Sequence, residues 1–217
     1  IEISYSTQGA NGQAQKNPNL LKWVDIISWN EGEPPEPEWA IRNIIERNTV
    51  GGLVGDGGIG KGWFLLEYCL GAAVGKTVIP AFPVAEPIRI IFLAGEDPET
   101  HVHRRYHSIL RTFNFTEAEK ELVRSNFLLC CESDGALAKT NAGEVQSTDR
   151  YDELKKRVSK FKPDLIIIDP KSRWTDLNEN SNHDQTHFVK LVEELVRTCN
   201  CAAIITHHVS KNAKNEM

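Results

Sequence analysis

The apolar run Val50 to Val54 leads directly into Gly55-Asp-Gly-Gly-Ile-Gly60-Lys61, and from Lys61 to Val74 apolar residues recur on a 3.6-residue period at Phe64, Leu65, Cys69 and Ala72. Strand, glycine-rich loop and helix in that order match the GxxxxGK part of a P-loop. Glycines there let the backbone bring its N–H groups up to phosphate oxygens, and the helix N-terminus adds its partial positive charge. Lys61 is placed to reach the terminal phosphates. The nucleotide-binding candidates are therefore Gly55, Asp56, Gly57, Gly58, Ile59, Gly60, Lys61, Gly62 and Trp63. A glycine-rich turn with a solvated lysine is the bland alternative, and it leaves the shared register of four glycines and a lysine unexplained.

The rest of the chain extends this pattern. Strands are expected at Val50 to Val54, Arg89 to Leu93, Asn126 to Cys131, Asp164 to Asp169 and Cys201 to Thr206. Helical faces are formed by Tyr151, Leu154, Val158 and Phe161, and by Phe188, Leu191, Val192, Leu195 and Val196, while Thr116-Glu-Ala-Glu119 reads as a capping box. Apolar runs alternating with helical segments predict the α/β class, a mainly parallel sheet flanked by helices. With 217 residues, 40% of them hydrophobic and 25% charged, the chain is long enough for one sizeable core and lacks the composition of a disordered protein. Its apolar runs fall far short of the roughly 18 residues of a membrane span, and no secretory leader is visible, so a cytoplasmic protein that avoids the membrane is expected. A net charge of -5 gives no global attraction for nucleic acid, though an assembled ring can hide a basic channel. Five cysteines without CxxC spacing read as buried thiols rather than zinc ligands. Residues 1–38, rich in Gln, Asn and Gly and then in Pro, read as a flexible lead-in or linker, and 39–217 as the catalytic domain, with its C-terminal end incomplete.

Carboxylates at strand ends complete the expected site. Leu165-Ile-Ile-Ile-Asp169 looks like a Walker B segment, with Asp169 holding Mg²⁺ directly or through water. Ala94-Gly-Glu96-Asp97-Pro98 follows another strand; Glu96 is the candidate to orient or deprotonate an attacking water, and Asp97 before Pro98 is expected to cap the next helix. His101, His103, Arg104, Arg105 and His107 form a basic cluster on that helix, read as a phosphate contact or a solvated face before a metal nest. His207 and His208, closing the last strand, are candidates to sense the terminal phosphate. One position departs from the motif: where Ser or Thr would ligate Mg²⁺ stands Gly62. The expectation is that a retained water replaces the hydroxyl, that Gly62→Ser is tolerated in the first helical turn, and that it tightens the Mg²⁺ dependence.

Gly55 to Lys61, Gly95-Glu-Asp-Pro98, Asp169-Pro-Lys-Ser-Arg173 and His207-His-Val-Ser-Lys211 together resemble the RecA-like ATPases of the plasmid RepA type, hexameric replicative helicases, over about Trp39 to Lys211. The resemblance implies a RecA-like P-loop core that binds ATP and Mg²⁺. It makes Lys61 the phosphate contact, Glu96 the catalytic base, Arg105 a second phosphate contact, Asp169 the metal ligand and His208 a relay to a DNA-binding loop. It also implies a homo-oligomer, a hexamer, acting on single-stranded DNA beside a primase or another replication protein. The arginine finger of the family is expected beyond Met217 or absent, and the segments Thr175 to Gln185 and Asn212 to Met217 correspond to mobile loops facing nucleic acid. Two other readings stand beside the motor: an ATP-binding regulatory or loader module with weak or no hydrolysis, to which Gly62 points, and a small-molecule kinase, for which no Arg-rich lid segment is visible.

Overall fold

Leu165–Asp169 and Ile90–Ala94 are apolar at nearly every position, so each needs cover on both faces, and a central strand of a parallel sheet provides it. The computed structural model describes residues 21, 23–132 and 134–208. The chain divides into two compact units between Glu36 and Pro37. In the first, Ile26–Glu31 form a 3₁₀ turn capped by Asp25, whose Oδ1 accepts the Ile27 N–H at 3.0 Å. Gly32 to Glu38 have no regular structure, as the prolines there require.

The second unit opens with a small antiparallel hairpin, β1 (Trp39–Ile41) and β2 (Ile45–Glu46). Then come β3 (Val50–Gly55), α1 (Lys61–Ala73), β4 (Ile90–Ala94), α2 (Glu99–Thr112), α3 (Glu117–Asn126) and β5 (Phe127–Cys130). A second hairpin, β6 (Ala138–Asn141) and β7 (Glu144–Ser147), precedes α4 (Asp149–Phe161), β8 (Leu165–Asp169), β9 (Thr175–Asp176), α5 (Asn182–Cys199) and β10 (Ala202–His208). The central sheet has the order β3-β10-β8-β4-β5, with every neighbouring pair parallel. This is the expected α/β class, a parallel sheet flanked by helices.

The strand period of two splits the core into two layers. Ile90, Phe92, Leu165, Ile167 and Ala202 face α1, α2 and α3. Ile91, Leu93, Ile166, Ile168, Ala203 and Ile205 face α4 and α5. Local signals set the helix ends. The Thr116 hydroxyl accepts the Glu119 N–H at 3.2 Å while the Glu119 carboxylate accepts the Thr116 N–H at 2.7 Å, completing the capping box. Helix α1 ends at Ala73, with Gly75 at φ +73° just beyond it.

Several expectations change. The β6–β7 hairpin and β9, which pairs with β6, form a three-stranded sheet that hydrophobic patterning misses, because β6 and β7 are largely polar. The segment Thr175 to Gln185, expected as a mobile loop, holds β9 and the first turn of α5. Buried Asp184 ties it down by accepting from Ser181 Oγ at 2.9 Å and Thr140 Oγ1 at 3.0 Å. Of the five thiols, Cys69 and Cys201 are buried, and burial raises both pKa values, that of Cys201 to about 12. The other three are half-buried. Ser6 to Asn19 and Asn212 to Met217 lie outside the described residues, and no described helix is long and apolar enough to cross a membrane.

Candidate functional site

Parallel strands bring their carboxyl ends to one edge, so residues distant in sequence meet there. Gly55 ends β3, Ala94 ends β4 just before Glu96, Asp169 ends β8 and His208 ends β10. Four of the expected site residues gather around one lysine.

The loop after β3 turns through Gly58 and Gly60, at φ +78° and +91°, a region that side-chain-bearing residues rarely enter. Gly60 is the N-cap residue of α1 with no side chain to cap it, which leaves the first N–H groups of the helix to an incoming acceptor. Lys61 is 92% buried, and its Nζ donates to the carbonyls of Gly55 at 2.9 Å and Asp56 at 2.8 Å. A third partner is His208 Nδ1 at 3.1 Å. An ammonium can only donate, so this ring nitrogen accepts and Nε2 carries the proton. Nε2 faces Glu96 Oε2 at 3.6 Å, which puts His208 between the loop lysine and the strand-end carboxylate.

Asp169 lies across the loop. Burial raises its pKa; the Thr206 hydroxyl, donating to Oδ1 at 2.5 Å, and the charge of Lys61 pull against that rise, and Glu96 and Asp97 add to it. Thr206 is fully buried on β10 and was not anticipated from the sequence. Its signal is a hydroxyl at the end of the apolar run Ala202 to Ile205. Gly95, quoted in the sequence only as part of its motif, has a packing role: its N–H donates to the Asp169 carbonyl at 2.8 Å, and a Cβ there would run into Arg173 and Trp174.

Asp97 does not cap α2. Pro98 occupies the N-cap position, and the Asp97 carboxylate instead takes the guanidinium of Arg105, with His101 Nδ1 at 3.9 Å. A charge-assisted pair outcompetes a bond to a helix N–H. Arg105 also lies over the Trp63 ring, 5.6 Å from its centroid, so it reaches the loop through Trp63. His103 and His107 contact each other at 3.0 Å, and no group of three or more potential metal ligands occurs among the described residues. His207 has its pKa lowered by burial and by the nearby Lys171 charge.

Gly62 contradicts the expectation that serine is tolerated there. A Cβ at this position would come closer than 3.0 Å to Asp169 Oδ2 and 3.5 Å from its Cγ. The donor set itself fits a hard divalent cation, since Asp169 offers a carboxylate oxygen beside the phosphate loop.

A P-loop at the carboxyl edge of a parallel α/β sheet, faced by the strand-end carboxylate of Asp169, is the arrangement of a nucleotide-binding ATPase. The sequence matches the AAA domain family over residues 15–214, and the chain belongs to that family. Such ATPases bind nucleotide, usually with Mg²⁺. Among solved structures, a KaiC-like protein of the hyperthermophilic archaeon Pyrococcus horikoshii OT3 is similar at 14% identity and a TM-score of 0.48, over 78% of this chain. The chain spans 65% of that protein's length.

Proposed function

We propose that this chain is the motor domain of a RepA-like replicative helicase, hydrolysing ATP to move on single-stranded DNA. The observation that supports it most is His208, which touches the phosphate-loop lysine and faces Glu96 from the last residue of β10. In this reading Lys61 exchanges its two loop carbonyls for the terminal phosphates of ATP, and Glu96 takes a proton from the attacking water. Asp169 holds Mg²⁺, which neutralises phosphate charge when bound. Arg105 contacts the phosphate region, and His208, losing Lys61 to the nucleotide, passes that change to the residues after β10. Residues 39–217 form the ATPase domain, and 1–38 lead into it. The assembly is a cytoplasmic homo-oligomer, a hexamer, working with a primase or another replication protein. The exposed Leu21, Trp23, Ile26, Ile27 and Trp29 support a protein contact, since apolar clusters of this kind on a surface mark interfaces.

The second reading, an ATP-binding regulatory or loader module, is favoured by Gly62, which removes a metal ligand. The ATPase rate of the full-length protein with and without single-stranded DNA separates the two. The motor requires DNA-stimulated turnover by an assembled ring. DNA-independent or absent turnover in a protein that still binds ATP assigns it to the module.

A further inference from the structure

The carboxylate of Asp169 fills the space that any side chain at position 62 would need. A Cβ there would stand closer than 3.0 Å to Oδ2, 3.5 Å from Cγ and 3.9 Å from Oδ1. This carboxylate is no loose end that could swing aside. Thr206, fully buried, holds Oδ1 at 2.5 Å. The Asp169 backbone is fixed by the Gly95 N–H at 2.8 Å and by its pairing with Ala94 in the sheet. With Oδ1 engaged, Oδ2 is the oxygen turned toward α1 at Gly62.

Residue 62 follows the loop lysine, the place from which the P-loop motif draws a Ser or Thr hydroxyl for the cation. Here that place offers no oxygen, and a carboxylate from β8 stands against it. We infer that the two roles are exchanged in this chain: position 62 is glycine because Asp169 occupies the place of the hydroxyl, and Asp169 Oδ2 is a direct protein ligand of the nucleotide-bound divalent cation. A hard cation accepts a carboxylate oxygen at least as readily as a hydroxyl and keeps waters in its remaining positions. The inference rests on the reading of this site as an ATP and Mg²⁺ site. It differs from the simpler expectation that water replaces the lost hydroxyl while Asp169 stays in the outer shell.

The test is a double-mutant cycle on Gly62→Ser and Asp169→Ala with three readouts: thermal unfolding without nucleotide or metal, ATP binding without metal, and Mn²⁺ binding to the ATP complex followed by electron paramagnetic resonance. Gly62→Ser is expected to lower Tm by several degrees in the parent chain and to leave it unchanged or raised in Asp169→Ala. Asp169→Ala is expected to weaken Mn²⁺ binding at least tenfold, measured at ATP concentrations that the metal-free titration shows to saturate each variant. Gly62→Ser alone should not tighten Mn²⁺ binding, and in the Asp169→Ala background it should recover much of the loss. Tighter Mn²⁺ binding by the Gly62→Ser single variant, or effects that simply add in both readouts, overturns the exchange and leaves the ATPase reading standing. Failure of the parent chain to bind ATP overturns both. Because Asp169→Ala introduces no clash, the metal arm does not depend on the single Gly62→Ser variant folding.

Discussion

Gly95→Ala isolates the contact that holds the two carboxylate-bearing strand ends together. The backbone at Gly95 lies outside the left-handed region, so alanine faces no conformational penalty, and the change would ordinarily gain stability by restricting the unfolded chain. Sterics oppose it: the new methyl would stand 2.7 Å from Arg173 Cβ, 2.8 Å from Trp174 Nε1 and 3.2 Å from Trp174 Cε2. Trp174 is buried and its neighbour Arg173 meets the new methyl through Cβ, an atom fixed to the backbone, so relief of the contact requires the segment itself to shift. Overpacking of this kind costs roughly 1–3 kcal/mol. In a chain of this size each kcal/mol moves Tm by about 2–4 °C, so a fall on the order of 2–12 °C is expected. If the strain is relieved by separating the turn after β8 from the end of β4, the Gly95 N–H loses the Asp169 carbonyl and Glu96 moves relative to Asp169, so nucleotide turnover should fall as well. Thermal unfolding and ATPase assays on Gly95→Ala check this, with Gly32→Ala as the control because a Cβ there meets nothing within 4 Å. A Gly95→Ala protein that unfolds within a degree of the parent with unchanged turnover would refute the reasoning.

Lys61→Ala removes the cation held at the loop and should weaken ATP binding roughly 10- to 150-fold, the worth of one charge-assisted hydrogen bond; unchanged affinity by equilibrium titration would sink the phosphate role. Glu96→Gln keeps shape and loses basicity, so turnover should drop by about 10²–10⁴-fold while ATP binding persists, and parental single-turnover rates would return Glu96 to a structural role. For Asp169, burial places the folded pKa above the unfolded one, so its contribution to stability is present at acid pH and is lost as pH rises through the raised value. Asp169→Asn, which cannot ionise and keeps an oxygen for Thr206, should therefore raise the Tm of the nucleotide-free protein at pH 7, with the gain shrinking as pH falls; a lower Tm at pH 7 would contradict this.

The five sheet strands were legible because each needs a run of apolar residues, and helix α3 because its capping box is written in four consecutive residues. The phosphate loop was legible for a related reason: its chemistry lies within seven contiguous positions. The β6–β7 hairpin was not, since Lys139, Thr140, Asn141 and Glu144 offer no apolar alternation, and the turn at Ala142 and Gly143 needs positive φ at both, of which only the glycine is a signal. Asp97 misled for another reason. Asp-Pro before a helix is a fair capping pattern, but the arginine that claims this carboxylate lies two turns further along α2, and only the folded helix shows that the two meet.

Strand β8 shows why position along a strand decides what an aspartate does. Asp164 and Asp169 bracket the same apolar run, and in the sequence they look alike. At the amino end, Asp164 accepts from Arg47 Nη2 at 2.6 Å and from the Arg89 N–H at 2.8 Å, joining the starts of β8 and β4 to the segment before β3. That carboxylate is paired and partly exposed, as a structural brace should be. At the carboxyl end, Asp169 is set where burial opposes its charge, with one hydroxyl donor and the lysine of the loop nearby. A buried carboxylate held in this way is costly to the protein, and in the proposed reading a bound cation offsets that cost. The same logic separates Gly95 and Gly62 from glycines that serve turns: both are small so that the Asp169 segment can approach, one through its backbone and the other through its side chain.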